Sequence, residues 1–333
     1  MRRNVLTVDE YVNGIKANNR AILARAITLV ESNADRHFTL AQDVLTSIMS
    51  ATGQSIRIGI TGVPGAGKST FIEALGVMLA DKGHKVAVLA IDPSSSISQG
   101  SILGDKTRMD QLSRHPNAFV RPSPSGGTLG GVARKTRESL LLCEAAGYDI
   151  IIVETVGVGQ SEITVRSMVD CFLVLMLTGA GDELQGMKKG IMEMVDIMLI
   201  NKADGKNKII AEKAKLEFER IVHMLPKTTE GWQTAVRAVS SIEGTGIKES
   251  WDTVEQFCKH MKETNQFQAR RKEQAANWFH SLLEEQILKN FYENKEIQRT
   301  LPQLKQEVVN GDISATLAAI TLLTKYNQDS GQH

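Results

Sequence analysis

One octapeptide, Gly62-Val63-Pro64-Gly65-Ala66-Gly67-Lys68-Ser69, constrains the fold more than any other stretch, because it matches G-x-x-x-x-G-K-[ST] between an apolar strand and a helix. The strand is expected at 56–61, and the helix opens at Ser69-Thr70. Glycines at this spacing let successive backbone N–H groups turn inward around phosphate oxygens at a helix N-terminus, where the dipole favours anions. In such a loop Lys68 reaches the outer phosphates and Ser69 ligates Mg²⁺. The phosphate-end candidates are therefore Gly62, Pro64, Gly65, Ala66, Gly67, Lys68, Ser69 and Thr70.

The pattern around the loop predicts an α/β chain. Near-continuous apolar runs at 56–61, 86–92, 118–121, 150–154, 171–177, 195–201 and 236–240 alternate with amphipathic stretches at 68–82, 105–114, 131–146, 161–168, 207–225 and 246–262. Strands of this kind belong to a mostly parallel sheet covered on both faces. Thr7-Val8-Asp9-Glu10 reads as a capping box that opens two short helices interrupted at Asn18-Asn19. A second box at Thr39-Leu40-Ala41-Gln42 is expected to start a third helix, ending near Thr52-Gly53. Beyond about 265 only helical material remains: a long segment with Phe267, Trp278, Phe279, Leu282, Leu283, Ile287, Leu288 and Phe291, and a last one over 313–323. The expected organisation is an N-terminal helical extension at 1–53, a nucleotide domain at 54–264 and a C-terminal helical dimerisation region at 265–333. The long segment displays more apolar side chains than a solvated helix should, which predicts a homodimer, the alternative being cover by the first three helices.

Charge and cysteines narrow the partners and the compartment. A net charge of +1 over 333 residues is too balanced for a chain whose main partner is nucleic acid or an anionic membrane. Cys143, Cys171 and Cys258 are too far apart for a Cys-x-x-Cys site or a disulfide framework, so a reducing cytoplasm is expected. Arg2 and Arg3 lead into Asp9 and Glu10, not into the apolar core of a signal peptide. The longest apolar run, at 171–177, falls far short of the roughly 20 residues needed to cross a bilayer.

Four further elements carry chemistry. Asn201-Lys202-Ala203-Asp204 closes a strand and resembles the guanine-specificity element of GTPases. A carboxylate at Asp204 accepts hydrogen bonds from guanine N1–H and the exocyclic amine, donors that adenine lacks in that geometry. Ser240-Ser241 lies where such proteins place a contact to the guanine carbonyl. Glu154, three residues before Gly157, is placed as the Mg²⁺-side acid ahead of a γ-phosphate-sensing loop. Asp92 and Asp105 flank a Gly/Ser stretch and are further metal-side candidates. Arg108 either neutralises transition-state charge or is a helix-surface arginine, and Lys188, in Gly179-Ala180-Gly181-Asp182-Glu183-Leu184-Gln185-Gly186-Met187-Lys188-Lys189-Gly190, is either a nucleotide or partner contact or a surface charge. The catalytic candidates are thus Lys68, Asp105, Arg108, Glu154 and Lys188, with Ser69, Asp92, Asp105 and Glu154 on the metal.

Taken in order, GVPGAGKST, DPSSS with Gln99-Gly100-Ser101, ILGDKTRM, VETVGVGQSE, GAGDELQGMKKGI and NKAD resemble the MeaB/ArgK family over essentially the whole chain. The resemblance implies a P-loop NTPase fold of the SIMIBI type, binding of GTP/GDP with Mg²⁺, and a chaperone that gates adenosylcobalamin loading of an acyl-CoA mutase, typically methylmalonyl-CoA mutase. It also implies a homodimer held partly through the C-terminal helices, and a cobalamin adenosyltransferase is a further candidate partner. Nickel-inserting relatives carry Cys or His metal ligands, whereas the seven histidines here are scattered. Two alternatives stand beside this expectation: a kinase or ATPase of the lysine/arginine/ornithine transport system, against which Asp204 argues, and a GTP-binding scaffold without turnover.

Overall fold

A computed structural model describes residues 6–91, 109–122, 129–155, 161–178 and 189–330. The chain divides into two units, 1–271 and 272–333.

In the first unit the apolar runs form seven parallel strands: β1 (Ile56–Gly62), β2 (Val86–Ile91), β3 (Ala118–Arg121), β4 (Ile150–Thr155), β5 (Cys171–Met176), β6 (Ile197–Ile200) and β7 (Ala235–Ala238). Their order is β3-β2-β4-β1-β5-β6-β7, so β1 lies between β4 and β5, in register through Ile60 opposite Glu154 and Ile60 opposite Leu173. The chain winds away from β1 on one side and returns on the other. Such a switch point opens a crevice at the carboxyl ends of the strands.

The helices follow the same chain order. Three precede the sheet, α1 (Val8–Lys16), α2 (Arg20–Glu31) and α3 (Asp35–Ile48), and α4 (Lys68–Asp81) follows β1. Next come α5 (Asp110–Arg114), α6 (Leu129–Ala145), α7 (Ser161–Arg166), α8 (Lys189–Met192), α9 (Lys208–Met224) and α10 (Ile247–Glu263). The apolar side chains of the first three helices, such as Ile15, Leu23, Ile27 and Ile48, join one core with Leu140 and Leu142 of α6 and with alternate residues of the strands. Phe71, Leu75, Trp251 and Phe257 cover the opposite face of the sheet. Cys143, Cys171 and Cys258 are buried, and burial drives their thiols upward, that of Cys258 to about 12, so none is poised as a thiolate.

The capping box at Thr7 is present: Glu10 N–H donates to Thr7 Oγ1 at 3.3 Å, and Thr7 N–H donates to Glu10 Oε2 at 2.7 Å. The box expected at Thr39 is not. The helix begins at Asp35, leaving Thr39 inside it, and Gln42 turns instead to donate to Glu138 of α6 at 3.2 Å. Tertiary pairing with α6 overrides the local capping pattern.

The lower end of the sheet is closed by charge. Asp170, just before β5, accepts Arg271 Nε and Nη2 at 2.7 and 2.6 Å and the Arg57 N–H at 2.8 Å. Arg271 also donates to the Gly53 and Ser55 carbonyls, both at 2.6 Å, and its guanidinium lies 4.6 Å over the Phe267 ring. Asp196, fully buried before β6, is approached by Arg166 and Arg270 at 3.4 and 3.7 Å and accepts the Phe172 N–H and the Thr229 hydroxyl. Removing one partner of such a buried pair typically costs about 3–5 kcal/mol, because the other charge stays buried alone. Phe267 is therefore core of this unit, a correction to its expected place on a partner-facing surface.

The division after Arg271 falls within α11 (Gln266–Glu293). The second unit continues with α12 (Lys295–Asn310) and α13 (Ala315–Ser330). α12 lies within the stretch beyond 265 expected to be helical, between the two segments marked there, and holds Pro302 in its interior. Asn294 caps it by accepting the Glu296 and Ile297 N–H groups at 2.9 and 3.1 Å, and Ile297, Leu301, Leu304 and Val308 give it an apolar stripe. That stripe packs with Ala318, Leu322, Tyr326 and Phe291.

Glu144 ends α6 in a bidentate pair with Arg57, both contacts at 2.9 Å. Burial pushes its carboxyl upward, but the hydrogen bonds and charge of Arg57, with donors from Ser55 and Gly53, outweigh this and hold it below the usual 4.5. A group lowered on folding contributes stability that is complete above its unfolded value and is lost as pH falls through its folded value. Denaturant unfolding followed from about pH 7 to about pH 3 should show Glu144→Gln less stable than the wild type at neutrality, with the gap closing below about pH 4.5. A gap independent of pH would remove Glu144 from the acid response.

Candidate nucleotide site

The strand order sets the exits of β4, β1, β5, β6 and β7 side by side along one edge. Most of the described site candidates lie on these exits.

The β1 exit is the glycine loop. Gly62 passes so close to β5 that a Cβ would come within 2.3 Å of the Leu175 carbonyl oxygen, and no other residue fits there. Gly67 has φ +84°, and a Cβ on it would meet Asn201 Nδ2 at 2.7 Å. Ala66 N–H closes a turn onto Val63 at 3.1 Å. Pro64 and Gly65 are exposed at the tip, while Ala66 is buried beneath it. Lys68 begins α4, is itself buried, and donates to the Gly62 and Val63 carbonyls at 2.8 and 3.3 Å. Its ammonium thus lies within the loop, held by backbone oxygens. Thr70, in the first turn of α4, is exposed.

On the β4 side, Glu154 is buried and accepts Ser69 Oγ at 3.3 Å. Thr155 next to it donates to Thr61 Oγ1 at 2.7 Å, tying the ends of β4 and β1 together. A hydroxyl and a carboxylate in contact form a hard-oxygen pair of the kind Mg²⁺ takes, since that ion uses one or two protein oxygens and fills its remaining positions with water and phosphate. Among the described residues no group of three or more His, Cys, Asp or Glu side chains comes together as a larger metal cluster.

On the β6 and β7 side, Asn201 is buried and its carboxamide is used at both ends. Nδ2 donates to the Ala66 carbonyl at 2.7 Å, and Oδ1 accepts the Ser241 hydroxyl at 2.8 Å and the Ser241 N–H at 3.3 Å. Ser240 Oγ donates to Asp204 Oδ2 at 3.0 Å and accepts the Glu243 N–H at 3.1 Å, which fixes the carboxylate. Ser240 N–H bonds Thr245, so the N–H groups of both serines are turned onto the protein. Lys202 is exposed and carries a positive φ of 61°.

The structure thus brings together Gly62, Ala66, Gly67, Lys68, Ser69, Glu154, Asn201, Asp204, Ser240 and Ser241. Asp92, Asp105, Arg108 and Lys188 lie outside the described residues. Two side chains that the motifs do not mark also belong to this network, Thr178 and Asn207, whose hydrogen bond spans 3.0 Å. Their one signal in the sequence is the polar Asn207 just ahead of a helix.

Known proteins resemble this chain along most of its length. The profile of the family described as methylmalonyl Co-A mutase-associated GTPase MeaB matches residues 23–296. The chain is 46% identical to GTPase ArgK of Escherichia coli K12 over 311 residues, covering 93% of this chain and 94% of that one. It is 44% identical to the mitochondrial methylmalonic aciduria type A homolog of Mus musculus over 329 residues, covering 96% of this chain and 79% of the mouse protein. A crystal structure described as a LAO/AO transport system kinase superposes with a TM-score of 0.79 at 38% identity, covering 98% of this chain and all of that one. The chain therefore belongs to the MeaB family of methylmalonyl Co-A mutase-associated GTPases.

Proposed function

We propose that this protein hydrolyses GTP to GDP and phosphate with Mg²⁺, and that the cycle gates adenosylcobalamin loading of an acyl-CoA mutase and protects that enzyme. The observation that carries the nucleotide reading is the Asn201 carboxamide, which joins the phosphate loop to the Ser241 strand exit beside Asp204. One nucleotide can then be gripped at both ends. The mutase reading is supported by the family's description and by the mouse relative's name.

In this reading the loop N–H groups of Gly65 to Ser69 receive the phosphates, and Lys68 leaves the Gly62 and Val63 carbonyls to place its charge on the outer two. Asp204 accepts guanine N1–H and the exocyclic amine, while Ser240 keeps it from rotating away. Ser69 and Glu154 would hold Mg²⁺, which supplies charge neutralisation at the β- and γ-phosphates when bound. Asp92 and Asp105 are proposed as further metal-side acids and Arg108 and Lys188 as cations in hydrolysis, on their sequence positions. Phosphoryl transfer of this type rests on positioning and charge, so turnover is slow until a partner completes the site.

Calorimetry is expected to show GTP and GDP binding and ATP rejected by about 10⁴-fold or more, because a site built for hydrogen bonds penalises the ligand that lacks them. Asp204→Asn should relax that ratio, and Lys68→Ala should abolish binding. Equal affinity for ATP and GTP would overturn the GTPase reading in favour of a kinase.

Capture from the native lysate on a non-hydrolysable GTP analogue should retain an adenosylcobalamin-dependent mutase or a cobalamin adenosyltransferase. Recovery of neither overturns the chaperone reading.

The proposed assembly is a homodimer through the C-terminal helices. Phe279, Leu283 and Ile287 form an exposed i, i+4 stripe on α11, with Leu288 and Tyr292 beside it. At about 25 cal/mol per Å², covering a few hundred Å² of such surface contributes several kcal/mol before association costs. Light scattering at micromolar concentration should give twice the 36.5 kDa chain mass. A monomeric mass removes the dimer.

A further inference from the structure

The loop that carries Asp204 contains a conformation that needs support. Lys202 sits at φ +61°, a region that costs a non-glycine residue about 1–3 kcal/mol unless its surroundings impose it. Its carbonyl accepts Asn207 Nδ2 at 2.6 Å. Asn207 N–H donates to the Asp204 carbonyl at 2.9 Å, closing the short 3₁₀ turn Gly205–Asn207. The remaining end of the same carboxamide, Oδ1, accepts Thr178 Oγ1 at 3.0 Å. Thr178 lies two residues beyond β5 and is directly followed in sequence by Gly179, where the charged glycine-rich stretch begins. One residue therefore braces the left-handed position next to Asn201 with its side chain, closes the turn behind Asp204 with its backbone N–H, and through its side-chain oxygen ties the loop to the exit of a different strand.

We infer that Asn207 is a positioning residue for guanine: it holds the 202–204 backbone in the shape that presents the Asp204 carboxylate, and the β5 exit, through Thr178, is its second anchor. The inference rests on the reading of 201–204 as the base-binding loop. It extends that reading by making base discrimination depend on a residue that does not touch the base and on a strand exit outside the motif. The donor and acceptor ends of Asn207 have separate tasks. Nδ2 holds Lys202, and Oδ1 fixes the carboxamide so that Nδ2 points there. Losing the amide removes both, whereas losing the Thr178 hydroxyl removes only the anchor.

The test uses the full chain and compares GDP with IDP, which keeps N1–H but lacks the exocyclic amine. If Asn207 positions Asp204, Asn207→Ala should speed dissociation of a fluorescent GDP analogue by about tenfold, the equivalent of one or two net hydrogen bonds. It should also bring the GDP:IDP affinity ratio toward unity. A purely structural defect would weaken both nucleotides alike and leave the ratio unchanged, and that result overturns the inference. Thr178→Val, which keeps shape and loses the donor, should give the same change at about threefold, Thr178→Ser should restore the wild-type rate, and Thr178→Val should have no added effect in the Asn207→Ala background. Full additivity of the two substitutions would overturn the link to β5. A wild-type protein that does not prefer GDP over IDP overturns the base-loop reading itself, a result distinct from a discriminating wild type whose Asn207→Ala variant behaves identically.

Discussion

A buried carboxamide must find partners for both its donor and its acceptor ends, and Asn201 can do so only if the exits of three strands meet. Its donor takes a carbonyl of the β1 loop and its acceptor takes a serine beyond β7, while the residue itself directly follows β6. The sheet order β1-β5-β6-β7 makes this possible, and Gly67 must lack a side chain to admit the amide. The glycine loop and the carboxylate of Asp204 are consequently held at a fixed separation. In the proposed reading, that pre-set spacing reduces the ordering cost of gripping a nucleotide.

Much of this was legible in the sequence because its cues are local. A strand-loop-helix with glycines at fixed offsets, apolar runs bounded by turn residues, and an acid at a strand end each specify themselves within a dozen residues, and all seven strands appear within a few residues of the expected positions. Local cues mislead where a partner distant in the chain decides. Thr39 fails as a cap because Gln42 is drawn to Glu138. Phe267, expected on a partner-facing surface, is core because Arg271 stacks over it and Phe257 and Met261 belong to the same cluster. No spacing rule connects Asn207 to Thr178, since they belong to separate strand exits and meet only in the folded sheet.

The two ends of the sheet are built on opposite principles. At the carboxyl ends of the strands, polar side chains and the Lys68 ammonium hold backbone loops through hydrogen bonds. At the amino ends, carboxylates and guanidiniums are locked together with little access to water, as at Asp170 and Asp196. Rearrangement at the first end costs hydrogen bonds of modest net strength, whereas rearrangement at the second exposes unpaired buried charge. The amino end of the sheet is thereby the costlier of the two to rearrange.

The placement of Arg270 and Arg271 also bears on how the chain is made. A ribosome delivers the whole sheet by Ala238, yet Asp170 and Asp196 still lack these two counter-charges, which arrive only with the first turns of α11. Translation proceeds at about 5–20 residues per second, so for some seconds Asp170 has the Arg57 N–H, and Asp196 has Arg166, the Phe172 N–H and the Thr229 hydroxyl, without the guanidiniums of Arg270 and Arg271. The last strand is therefore not the last requirement of the first unit: its electrostatic closure waits for the first turns of α11.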